Sequence, residues 1–60
     1  MKPSTIRRLR REAGLTAAAL AKRMGLGVRG KVTIYEWEHG VRIISESHAR
    51  WLETICKEET

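Results

Sequence analysis

Lys31-Val32-Thr33-Ile34-Tyr35-Glu36-Trp37-Glu38-His39-Gly40 is the stretch on which the fold turns. Read at about 100° per residue, it divides into two faces. Ile34 and Trp37 point one way, with Glu38 at their edge. Val32 and Glu36 point the other way, flanked by Tyr35 and His39. Gly40 supplies a left-handed stop, and Gly30 is a tolerated N-cap. The spacing therefore predicts a helix over 31–39. Its outward side carries a β-branched residue, a phenol, a carboxylate and an imidazole, with Arg29 and Lys31 at the front end. That is not a generic solvated mix. We read it as the face that meets a partner, with the rest of the chain as its mount.

Working back from this helix, Gly25 to Gly30 is a glycine-punctuated turn with Leu26 or Val28 tucked inward. Its spacing matches neither a dinucleotide-binding loop nor a P-loop, and no strand precedes it, so a nucleotide-cradling role is set aside. Residues 16–24 form a second helix. Thr16 is its N-cap, its alanines favour helix strongly, Leu20, Ala21 and Met24 are its buried side, and Ala18 and Lys22 face out. Before it, residues 3–13 form a helix opened by Pro3 at the first position or by Ser4 as cap. Ile6, Leu9 and Ala13 make its apolar stripe, Arg10 borders the stripe, and Gly14 stops it. Working forward, Val41 to Ile44 read as an extended connector. Ser45 then caps a helix over 46–58 whose apolar side is Ala49, Leu52, Ile55 and Cys56, with Trp51 on the flank. No strand, repeat or low-complexity tract is visible. The expected fold is an all-α bundle of four, at most five, short helices in one domain.

At sixty residues the chain buries only about 60% of its extended surface on folding, so its margin is thin. One cysteine, Cys56, allows no internal disulfide. No apolar run is long enough to span a membrane, and Met1-Lys2-Pro3-Ser4 is not followed by an apolar signal core. A cytoplasmic protein is the default. The net charge is +5, but its placement says more. Residues 1–34 carry nine basic residues and one acid, a local +8, while residues 35–60 carry three basic and six acidic residues, a local −3. A first half so charged is drawn to polyanions.

Gly14-Leu15-Thr16, Leu20-Ala21, Met24-Gly25, Thr33-Ile34 and Trp37-Glu38-His39-Gly40 together resemble the phage-repressor (Xre-type, lambda-repressor-like) helix-turn-helix family over roughly residues 4–56. The resemblance implies a sequence-specific regulator of transcription, a repressor by default. It would bind double-stranded DNA as a homodimer, be encoded by a prokaryote or phage, and be associated with the nucleoid. It also implies an ion pair between Arg10 and Glu38 that ties the first helix to the third. Three departures stand out. The turn between the second and third helices is longer than usual by about three residues, Gly27 to Arg29. Position 17, where relatives often hold a DNA phosphate with glutamine, is Ala17, so Thr16 or its amide takes over. Many relatives also have a fifth helix, for which Thr60 comes too early, leaving a surface for a partner subunit to cover.

In such proteins the second helix of the motif lies in the major groove. Carried over by position, Arg29, Lys31, Val32, Tyr35 and Glu36 are the expected base readers. Val32 suits a thymine methyl and Glu36 a cytosine amino group. Thr16, Lys22, Arg23, Thr33, His39 and Arg42 are the expected phosphate contacts, and Arg7, Arg8 and Arg11 add a general positive field. Trp37 shares a face with Ile34 and reads as core. Trp51 either caps the core or, with Ile55, centres a dimer contact.

His39, His48 and Cys56 are spaced nine and eight apart, which fits no zinc pattern. No acid pair, nucleophile with its base or cofactor loop is left over, so neither catalysis, metal nor cofactor is expected. Two other readings remain. One is a protein-interaction module on the same scaffold, antitoxin-like or an adaptor, with Glu36 and Glu38 as outward carboxylates. The other is an RNA binder working through the arginines of the first helix.

Overall fold

A computed structural model describes residues 1–59 as four α-helices: α1 Pro3–Glu12, α2 Ala17–Arg23, α3 Gly30–Glu38 and α4 Glu46–Glu59. There is no strand among the described residues, and none of the helices is long and apolar enough to cross a membrane.

The helix ends follow from the local sequence. Pro3 occupies the start of α1, where its missing N–H costs nothing, and Lys2 rather than Ser4 stands at the N-cap. Thr16 caps α2, its Oγ1 accepting from the Ala19 amide at 3.0 Å. Ser45 caps α4, its Oγ accepting from the His48 amide at 3.2 Å. The first three helices stop in one manner. A glycine turns the chain to positive φ, and the next amide reaches back five residues: Leu15 to the Arg10 carbonyl at 3.1 Å, Leu26 to Ala21 at 3.1 Å, Val41 to Glu36 at 2.9 Å. This bond satisfies a helix-end carbonyl that would otherwise lack a partner. After the first two stops the following leucine folds onto the core.

Each helix places one aliphatic side chain at the centre: Ile6, Leu20, Ile34 and Leu52 are essentially inaccessible to water. Ala21, Met24, Trp37, Ile44, Ala49, Ile55 and Cys56 complete the core. Full burial of a side chain such as Leu52 contributes about 1.5–3 kcal/mol before the entropy of ordering it is subtracted.

Three expectations need correcting, and one left open is resolved. Gly30 is not an N-cap: it is the first residue of α3 and is buried, with Arg29 at the cap position. A Cβ on Gly30 would lie 2.7 Å from the Ala21 Cβ and 2.8 Å from the Leu26 Cβ. Glycine is therefore required there for close approach of α3 to α2 rather than for an unusual backbone angle. In the turn before it, Leu26 packs inward while Val28 is fully exposed. The connector after α3 is not extended at its start, because the Val41 and Arg42 amides both fold back onto the Glu36 carbonyl. Ile55 is 2% exposed. It belongs to the core of its own chain, so it has no surface with which to meet a second chain.

Candidate nucleic-acid interface

The platform for α3 is a polar clamp at its C-terminal end. Glu38 is the one buried charged residue of the described chain. Arg10 from α1 grips it with both donors, Nε to Oε2 at 2.7 Å and Nη2 to Oε1 at 3.1 Å. The remaining Arg10 nitrogen, Nη1, donates to the Leu15 carbonyl at 3.1 Å. One guanidinium thus joins α1, the turn into α2, and α3. The hydrogen bond to Glu38 raises the Arg10 pKa above its already high ordinary value. Arg7, one helical turn before Arg10, adds a weaker contact, its Nε lying 3.6 Å from Glu38 Oε1. The three-residue spacing places both arginines on one side of α1, a signal that the sequence reading passed over.

With Ile34, Trp37 and Glu38 turned inward, the opposite side of α3 is left to solvent. Val32 is 46% and Tyr35 56% exposed. The His39 ring stacks on the Tyr35 ring, centroids 3.9 Å apart. His39 Nδ1 lies 2.9 Å from the Tyr35 carbonyl. A carbonyl only accepts, so Nδ1 carries the proton, and Nε2 is left to face Arg7 Nη2 across a long 3.5 Å contact. Glu36 is half-buried and pairs with Arg42, whose Nε is 3.5 Å from Oε1. Tyr35 and Glu36 are therefore each held by a neighbour, which limits the rotamer freedom they lose on contact. Thr33 is turned to its own helix, its Oγ1 donating to the Arg29 carbonyl at 3.1 Å. Thr16 uses its oxygen to cap α2 and retains a hydroxyl proton to donate.

The cations sort into two sets. Arg8 pairs with Glu12, Arg50 with Glu46, Lys57 with Glu53, and Arg7, Arg10 and Arg42 with the α3 carboxylates. Arg23 is bound to Glu59 and lies 3.9 Å from Glu58, and the hydrogen bond to Glu59 raises its pKa. A phosphate at Arg23 would have to compete with two carboxylates at the end of α4. Lys2, Arg11, Lys22, Arg29 and Lys31 have no ion pair among the described residues. Three of these five, Lys22, Arg29 and Lys31, flank the turn from α2 into α3. Lys22 and Lys31 border the same open cleft.

Two further placements bear on the other readings. Glu38 is buried, so it is not an outward carboxylate, and Glu36 is engaged by Arg42. These two carboxylates therefore do not form a free acidic face on α3. His48 stacks at a tilt on Trp37, centroids 5.4 Å apart, and its Nδ1 is 2.8 Å from Ser45 Oγ. Among the described residues no group of three or more His, Cys, Asp or Glu could hold a metal ion.

A comparison with protein families finds a match to the helix-turn-helix domain over residues 4–57. No curated protein and no solved structure matches the chain.

Proposed function

Because this chain belongs to the helix-turn-helix domain family, we propose that it is a sequence-specific regulator of transcription. In this reading it binds double-stranded DNA with α3 in the major groove, acts as a repressor of the phage-repressor (Xre) type, and works in the cytoplasm, where the chromosome of a prokaryotic cell lies. The observation that carries the reading is that Lys22, Arg29 and Lys31, without carboxylate partners among the described residues, flank the start of the helix whose outward side exposes Val32 and Tyr35. A protein surface that leaves cations uncompensated beside a presented helix suits a polyanion.

The fit is reasonable in size and in chemistry. A helix about 10–12 Å across fits a groove about 12 Å wide, and nine residues give it about 13 Å of length to lie along the groove. Val32 packs on a thymine methyl. Glu36 accepts from a cytosine amino group while Arg42 shields it from the backbone. Tyr35 reaches a phosphate or a base edge. Arg29 or Lys31 addresses guanine, a contact worth about 1–3 kcal/mol of discrimination when bidentate. The Thr16 hydroxyl, Lys22 and Arg42 supply backbone contacts, which set register without reading sequence; the Thr33 hydroxyl and His39 Nδ1 protons are already given to the Arg29 and Tyr35 carbonyls, so these two residues are not among them. Two chains bind together on a palindrome, with half-sites about one helical turn apart. Trp51, 49% exposed on α4, is the residue through which we expect them to meet.

Mobility shifts on random duplex DNA at 50 and 200 mM salt, with structured RNA as competitor, test the reading. If about five phosphates are neutralised per chain, the slope of log affinity against log salt is near −4 to −5. Affinity then falls by about 250- to 1,000-fold over that range. Salt-independent binding, or displacement by RNA at concentrations where unrelated duplex DNA does not displace, would contradict it.

A further inference from the structure

Between α2 and the turn that leads into α3 lies an open cleft of about 410 Å³. Its apolar lining includes Ala18, Ala21 and Val28, and its two charged residues are Lys22 and Lys31. Neither lysine has an acidic partner among the described residues.

One wall of the cleft is a built turn. Leu26 fixes its start, with the amide on the Ala21 carbonyl at 3.1 Å and the side chain against the core. Gly30 fixes its end, pressed onto Ala21 and Leu26. The Gly30 amide closes the turn onto the Gly27 carbonyl at 3.1 Å. Val28 and Arg29 are the two residues at its tip. A single exposed valine is ordinary. This one is 103% exposed on a turn anchored at both ends, and it borders a cleft carrying two uncompensated cations.

Apolar surface in one cleft with two positive charges matches a polymer that alternates apolar sugar with anionic phosphate. We propose that this cleft seats the sugar–phosphate backbone of one DNA strand. Val28 packs on a deoxyribose, and Lys22 and Lys31 hold the phosphates to either side. The proposal rests on the DNA-binding reading above and adds Ala18, Gly27 and Val28 to the contact surface. With Lys31 on a phosphate, guanine falls to Arg29; Lys31 stands where the cleft meets the front of α3, so the seat and the base-reading face share one register. Contacts of this kind position the protein and carry no sequence information of their own. A loss at the cleft therefore weakens binding to every duplex alike.

The test compares the full chain with Val28→Asp and Lys22→Gln, measuring affinity for a selected site and for random duplex DNA between 50 and 200 mM salt. Both residues are exposed, so thermal melting is expected to be unchanged and serves as the control. Lys22→Gln should reduce the salt slope by about 1. Val28→Asp sets a carboxylate against a phosphate and should weaken binding about fivefold or more on both DNAs, with the preferred sequence unchanged. Unaltered affinity in both variants would overturn the proposal. So would a change of preferred sequence in Val28→Asp, because the tip would then be reading bases. If the unsubstituted protein shows no salt-dependent affinity for any duplex, the DNA-binding reading itself falls and takes the cleft with it.

Discussion

Removing Arg10 should cost more stability than removing its partner, and the reason is depth. The Glu38 side chain is 5% exposed and that of Arg10 17%. Arg10→Ala strips the deeper charge of its two short bonds and leaves it only Arg7, 3.6 Å away and itself 43% exposed. Leaving a buried charge uncompensated in this way costs about 3 kcal/mol. Glu38→Ala leaves the other charge behind, but Arg10 has a long stem, is nearer to water, and keeps its bond to the Leu15 carbonyl. The loss of its charged hydrogen bonds costs about 2 kcal/mol. A chain of sixty residues has about 3–9 kcal/mol of total stability, so either change is a large share of it. At about 4–8 °C per kcal/mol for a domain this size, Arg10→Ala lowers Tm by about 12–24 °C. Urea titration followed by far-UV circular dichroism reads these differences, with Arg10→Ala/Glu38→Ala closing the cycle. We expect a coupling energy of about 1.5 kcal/mol or more, and partial recovery in the reversed pair Arg10→Glu/Glu38→Arg. Losses that simply add, or a larger loss from Glu38→Ala than from Arg10→Ala, would refute the clamp.

Three other outcomes are expected. Gly30→Ala should destabilise by about 1–3 kcal/mol, because a Cβ 2.7 Å from the Ala21 Cβ forces α3 away from α2; a urea midpoint equal to that of the unsubstituted protein would contradict this. Burial pushes the Cys56 thiol pKa up, more than Arg10 and Arg23 pull it down. The unfolded chain therefore loses this proton first, at about pH 8.5, and stability falls as pH rises above that value toward the folded pKa. Cys56→Ala should flatten the alkaline slope of the urea midpoint, and an unchanged slope would count against the assignment. Trp51→Ala should leave the fold intact, since the side chain is half exposed, while sedimentation on a palindromic duplex shifts from two bound chains toward one; two bound chains at unchanged affinity would remove Trp51 from the contact.

What the sequence made legible was whatever depends on a short stretch of chain. Thr16 and Ser45 cap because their neighbours are helical, and the glycines at 14, 25 and 40 stop helices because the next residues demand a reversal. Trp37 reads as core from its spacing to Ile34. What escaped depends on how separate elements meet. Gly30 looked like a cap because its role is set by Ala21 and Leu26, nine and four residues away. Val28 and Leu26 were equivalent until the turn chose one of them for the core. Periodicity put Ile55 on the apolar side of its helix and Trp51 on the flank, and the family resemblance joined them in a dimer contact; packing buries the first and leaves the second half exposed. Glu38 was legible at the edge of the buried face, and its pairing with Arg10 followed from the family resemblance; what escaped was the second arginine, Arg7, on the same carboxylate and the Arg42 contact that occupies Glu36.

The central claim is that the outward residues of α3 choose the sequence, and it can be measured directly. Bound sites would be selected from a random duplex library by the unsubstituted protein and by Val32→Ala/Tyr35→Ala/Glu36→Ala, with folding of both checked by circular dichroism. The account predicts one enriched, two-fold symmetric site for the unsubstituted protein, and for the triple variant a flattened preference with the salt dependence of binding retained. The same enriched site from both proteins would contradict it.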